Sequence, residues 1–167
     1  MVAATGRNDF TGLRAGKVED NYKALGIAVS LMMTDANFGR LTFGHWSRVL
    51  AGQIRRGHYI IVADGPKMVG FLGWALTDEA RAESWLKGDA ELTFEHSLKG
   101  ECLLINAWLA KTERVNRFIL SQLRPIGKEQ KTVYAKRFYN DGRVRKLKLP
   151  VNAFVPAHIA RGSAATG

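Results

Sequence analysis

The sequence predicts an α+β fold, a mostly antiparallel sheet with helices packed on it. Three observations carry that expectation: two neighbouring apolar runs joined by turn residues, a second pair of strands near the C-terminus, and three segments with helical periodicity around them. The first pair organises the rest. Residues 59–62 and 68–74 are β-branched, aromatic or apolar, and Asp64, Gly65 and Pro66 between them supply turn chemistry, so they form a hairpin. Nearly every position is apolar rather than every second one, which places this hairpin inside a sheet covered on both faces.

Taken in order, residues 1–17 mix Gly, Ala, Thr and charge without a period and read as a loosely held tail. Tyr22, Leu25, Val29 and Met32 give residues 18–33 one apolar helical face, and Thr34, Asp35, Ala36 and Asn37 stop it. Phe43, Trp46, Val49, Leu50 and Ile54 recur at three and four, so residues 42–56 form a helix capped by Thr42 and ended by Gly57. After the hairpin, Thr77 caps a short helix that buries Trp85 and Leu86 and stops before Gly88; residues 88–100 form an acidic connection. Residues 102–109 are an apolar run of strand length and belong at the centre of the sheet. Thr112 opens a further helix with Val115, Phe118, Ile119 and Leu123 in register, ended before Pro125. Strands at 132–139 and 143–149 join through Asn140, Asp141 and Gly142, and their alternation of apolar residues with Lys and Arg sends one face to the core and the other outward. Small residues dominate 151–167, a second tail, so one domain spans 18–150.

Composition narrows the chemistry. The single cysteine, Cys102, excludes a disulfide framework and reads as a small buried hydrophobe. No apolar run reaches the length of about 18 residues that a membrane span needs, and the N-terminus has no apolar signal core, so a soluble, cytoplasmic protein is expected. Of the net charge of +10, most lies in residues 111–148, where twelve Lys or Arg face three acids. Such a field attracts acidic partners. The four histidines, His45, His58, His96 and His158, form no zinc spacing with Cys102, and the glycines at 57, 65, 70 and 73 do not form a phosphate loop, so no metal and no cofactor is expected. Tyr134, Phe138 and Tyr139 interleave with Lys131, Lys136, Arg137 and Arg143, a pattern that also suits nucleic acid.

Several stretches resemble the bacterial RTX toxin-activating lysine-acyltransferases, the hemolysin-activating proteins. They are GIAVSL at 26–31, the helix from Phe43, His58-Tyr59 opening a strand, Gly73-Trp74-Ala75 closing the hairpin, Lys99-Gly100 before the strand that ends at Ala110, and the basic hairpin at 135–149. The likeness spans residues 22–149. It implies a GNAT-like fold, often dimeric, and transfer of a fatty acyl group from acyl carrier protein to a lysine of a protoxin, with a histidine as base or nucleophile and an aspartate supporting it. Ungapped counting from Tyr59 puts the family histidine on Phe38, beside Asn37; counting from Gly100 or Ala110 puts the aspartate on Ala107, beside Asn106. Neither side chain titrates, and the family's Ala-Pro-Phe-Gly becomes Ala110-Lys111-Thr112-Glu113.

The resemblance therefore implies a degenerate acyltransferase that binds a protein partner, such as acyl carrier protein, a paralogue in a dimer, or a larger assembly. The expected cleft residues are Asn37, Arg40, Trp74 and Asn106. The expected partner face is Arg114, Arg117, Arg124, Lys128, Lys131, Lys136, Arg137, Arg143 and Arg145. An active transferase with non-standard groups is the alternative, and a basic nucleic-acid-binding protein the second.

Overall fold

The apolar hairpin forms β2 (Tyr59–Asp64) and β3 (Lys67–Thr77), which turn through Gly65 at a φ of 57°. The computed structural model describes residues 9–139 and 141–151. Around the hairpin stand β1 (Leu13–Gly16), α1 (Asn21–Met32), α2 (Ala36–Gly39), α3 (Phe43–Arg56), α4 (Glu79–Lys87), β4 (Cys102–Ala110), α5 (Glu113–Gly127), β5 (Thr132–Phe138) and β6 (Val144–Pro150). The six strands lie in sequence order, antiparallel except for the parallel pair β4–β5. That parallel step is made by α5, which crosses from the end of β4 to the start of β5.

Helices cover both faces, as the continuous apolar runs require. On one face α1 and α3 pack Leu31, Met32, Leu50 and Ile54 against Tyr59, Ile61, Phe71 and Leu109, and α4 adds Ala82 and Leu86 over Ala75, Leu104 and Tyr134. On the other, α5 lays Val115, Phe118 and Ile119 over Val62, Leu72, Leu103 and Ile105. The buried Tyr59 hydroxyl fastens the chain before α1: it donates to the Val18 carbonyl at 3.0 Å and accepts from the Val18 N–H at 3.1 Å.

Four sequence expectations need correcting. The N-terminal tail is shorter than 1–17, because Leu13–Gly16 pairs with Ile61–Asp64 as an edge strand; its anchor is Arg114 of α5, which donates to the carbonyls of Asp9 and Thr11 and so cannot be read from the local pattern. The α4 cap is Asp78, whose carboxylate accepts from Arg81 N–H at 2.9 Å, since Thr77 is still the last residue of β3. Helix α5 runs through Pro125 to Gly127, because in the last turn the proline costs one backbone bond while Gly127 still packs on Leu103 and Val133. Finally, β6 turns neither face to the core. All seven of its residues are exposed or half-exposed, so the in-and-out reading holds for β5 alone, where Tyr134 is buried. The tail expected at 151–167 lies outside the described residues except for Val151.

Candidate functional site

The sheet changes phase at Asn106. Gly73 of β3 pairs with Ala107 and Trp74 with Ile105, so Asn106 is one residue too many on β4 and makes a β-bulge. The bulge turns Asn106 and Ala107 toward the same face, under α3. There Asn106 Oδ1 accepts from Nε2 of Gln53, a fully buried polar residue on the apolar side of α3. Gly73 is the reason the pair fits, since a Cβ at that position would overlap the Gln53 amide. The Gln53 Oε1 has no partner among the described residues. Gln53 was not singled out in the sequence, although a glutamine three residues from Leu50 and one before Ile54 breaks the apolar stripe of α3 and is a legible signal.

The two positions where the resemblance puts a catalytic pair both belong to the apolar cluster under α1 and α3. Ala107 is 2% exposed within the cluster under α1 and α3, and Phe38 of α2 packs against that same cluster. Asp35 caps α2, accepting from the N–H groups of Asn37 at 2.8 Å and Phe38 at 3.1 Å, and so holds the Phe38 backbone in place.

Beside this cluster β4 and β5 part. They pair only from Cys102–Ile105 against Thr132–Ala135; beyond Ile105 β4 has no strand on that side. The gap opens into a cleft of about 730 Å³ lined by Thr34, Asp35, Trp108, Lys111, Asn116 and Arg137, among others. Trp108 donates its indole N–H to Asn116 Oδ1 at 3.0 Å, which fixes one wall. The cleft thus carries two cations, Lys111 and Arg137, two carboxylates, Asp35 and Glu113, and one fixed amide.

Of the four expected cleft residues, Asn106 sits in the bulge against Gln53 and Asn37 in α2 beside Phe38, and neither lines the cleft of about 730 Å³. Trp74 points into the α5 face, where its ring stacks on His58 with centroids 5.9 Å apart. Strand alternation from Gly73 sends it there. Arg40 is exposed beyond α2 and forms no ion pair among the described residues.

His58 is half-buried where β2 begins, with its Nδ1 unpartnered among the described residues. Burial first, then the charges of Arg56 and Lys17, push its imidazole from 6.5 down to about 4. Because the folded value lies below the unfolded one, the unfolded chain binds more protons between the two; the linked stability is complete above about 6.5 and is lost as pH falls toward 4. Solvent on the exposed half of the ring keeps the loss small. Denaturant titrations across that range should therefore show unfolding free energy falling with acid, and His58→Gln should flatten the slope. An unchanged slope in the variant would assign the pH dependence elsewhere.

Another histidine does have a carboxylate. His45 Nδ1 of α3 lies 2.7 Å from Glu91 Oε1, which sequence alone could not place because Glu91 stands in the connection after α4. Both side chains are substantially exposed, and Glu91 and His96 line a separate hollow of about 430 Å³ with Asp78, Arg81 and Ser84. His158 lies outside the described residues. Cys102 is buried and its thiol is pushed up by burial, the opposite of an activated nucleophile. Among the described residues, no three His, Cys, Asp or Glu side chains cluster as a metal site.

The expected basic face divides. Arg114 is consumed in tying α5 to β1 and to Asp64, at 3.2 Å. Arg117, Lys131 and Arg143 pair with Glu113, Glu101 and Asp141. Arg124, Lys128, Lys136, Arg137 and Arg145 have no carboxylate within ion-pair distance among the described residues, and the last three lie on the β5–β6 hairpin. No described helix is long and apolar enough to cross a membrane.

Comparison with known proteins agrees with this geometry. The profile of the RTX toxin acyltransferase family matches residues 17–149. Among solved structures, the loading GNATL domain of CurA from Lyngbya majuscula superposes with a TM-score of 0.52 at 16% sequence identity, covering 77% of this chain and 65% of that one. At that identity the likeness establishes the fold, which is GNAT-like, and this chain spans 65% of the length of that solved chain. Among curated proteins none matches.

Proposed function

The chain belongs to the RTX toxin acyltransferase family, and within that family we propose that it is a catalytically degenerate member, which holds an acidic protein partner such as acyl carrier protein in the cytoplasm without transferring the acyl chain. One observation carries this reading: Phe38 and Ala107, the positions to which ungapped counting assigns the family's histidine and aspartate, belong to one apolar cluster. Neither side chain can move a proton or hold an acyl group. Loss of a general base alone removes about 10² to 10⁴ of rate, and loss of a covalent nucleophile closes that route. The cleft beside the cluster has Lys111 and Arg137 balanced by Asp35 and Glu113, so attraction of an acidic partner rests on the cationic excess of the surrounding residues 111–148.

A second reading is a working transferase that uses His45 with Glu91, the histidine–carboxylate pair found on α3. One assay separates the two. Acyl carrier protein charged with labelled fatty acid is incubated with the chain and lysine-bearing acceptors, and products are read by intact mass. Binding without transfer is expected. Transfer at the rate of an active relative, abolished by His45→Gln, would replace the first reading with the second.

A further inference from the structure

The outermost two strands carry a feature that the cleft does not explain. In the β5–β6 register Lys136 stands directly opposite Lys146, and on the next rung Arg137 stands opposite Arg145. Successive rungs point to opposite faces, so like charges are paired across the strands on both sides of one ribbon. Directly opposed like charges destabilise a sheet. Among the described residues none of the four has a carboxylate within ion-pair distance, whereas Lys148 two rungs away is held by Glu79 and Glu83. Lys136 sits over the Trp85 ring at 4.2 Å, and both burial and the nearness of Lys146 lower its proton affinity.

The next rung toward the turn is apolar and open. Phe138 pairs with Val144, and they are 52% and 44% exposed. From Lys136 outward β5 has lost β4 as a neighbour, so this end is a two-stranded ribbon. A collar of cations without carboxylate partners, its Lys146 donating to the Lys87 carbonyl at the end of α4 at 3.3 Å, stands ahead of an exposed aromatic and aliphatic tip, the layout of an element that rests on an anionic bilayer: cations at the headgroups, apolar side chains at the acyl boundary. Single-stranded nucleic acid would want several free ring faces, but Tyr134 is buried and the ring of Tyr139 lies 5.1 Å from the guanidinium carbons of both Arg137 and Arg143, which leaves Phe138 alone for stacking.

We propose that the β5–β6 ribbon is a peripheral docking element for membrane surfaces rich in anionic lipid, with Lys136, Lys146, Arg137 and Arg145 as its collar and Phe138 and Val144 as its inserted tip. This rests on neither Phe38 nor Ala107; Arg137 alone is shared with the cleft, and the vesicle assay reads lipid binding without any acyl carrier protein present. The full chain is sedimented with phosphatidylcholine vesicles containing 0 or roughly 30% phosphatidylglycerol, and titrated in parallel with duplex and single-stranded DNA by fluorescence polarisation. Binding to the anionic vesicles alone is expected. Each surface cation contributes about fivefold in partitioning, so replacing all four collar residues by Gln should cost a hundredfold or more, while removal of the like-charge rungs leaves the thermal midpoint unlowered. Phe138→Ser with Val144→Ser keeps the charge and should cost about tenfold on vesicles. Binding indifferent to lipid charge, DNA bound in preference to vesicles, or either variant binding like the parent protein would overturn the proposal.

Discussion

Ala107→Asp is expected to lower the unfolding free energy by about 3 kcal/mol, and Phe38→His in the same chain to return at least about 1 kcal/mol of that loss. Ala107 is 2% exposed in the cluster that holds Tyr59, Phe71 and Leu109, so a carboxyl group there leaves water among side chains whose donors are only the Trp46 indole and the Tyr59 hydroxyl, the latter already given to the Val18 carbonyl. Burial raises the pKa of such a carboxyl, and its ionisation is resisted. The folded value then exceeds the unfolded one, so the penalty of the single variant deepens as pH rises. An imidazole at position 38 changes the balance by offering a donor and, when protonated, an opposite charge. Urea titration of the parent, both single variants and the pair gives the coupling directly. Strict additivity would mean that positions 38 and 107 do not face each other, and the reading of the site as an emptied catalytic pair would fall. If the coupling is found, the paired variant is the one to test for acyl transfer, with a gain of about 10² or more expected over the parent.

Gly100→Ala is expected to cost more than about 4 kcal/mol, or to yield no soluble protein. Gly100 precedes β4 at a φ of 155°, and a Cβ there would overlap the carbonyl carbon and oxygen of Thr77. Thr77 cannot retreat: it is 1% exposed and pairs with Cys102 in the sheet. Gly88 gives the comparison. Its φ is 93°, but no atom lies within 4 Å of where a Cβ would stand, so Gly88→Ala should cost only the conformational strain, about 1–2 kcal/mol. Thermal melts of the two variants would separate main-chain collision from dihedral strain. Equal losses would show that the close approach of Gly100 to Thr77 is not what holds this glycine in place.

Much of the fold could be read from residue order because its signals are local. The apolar runs at 59–64 and 67–77 carry strand propensity and turn residues within a few positions, and the stripes Trp46–Leu50–Ile54 and Val115–Phe118–Ile119 have a helical period. Counting from Tyr59 and Gly100 gives Phe38 and Ala107 as the positions that the resemblance implies for the catalytic pair, an ungapped expectation that the variants above test. The missed features all depend on a partner distant in the chain. Strand β1 needs Arg114, about a hundred residues on. His45 acquires Glu91 only when α3 and the segment after α4 are brought together. Trp74 was assigned to the cleft from a motif, whereas alternation from the bulge turns it to the other face.

What the chain order by itself determined is the kind and succession of elements, the concentration of cations in residues 111–148, and the presence of carbon side chains at positions 38 and 107, all properties of near neighbours or of counting. What only the tertiary structure decided is how strands register: that Asn106 bulges over Gln53, that β4 and β5 separate beyond Ile105, and that lysine faces lysine and arginine faces arginine across β5 and β6. Register is set by pairing between segments far apart in the chain, and a shift of one residue exchanges the faces of a strand, so no local pattern contains it.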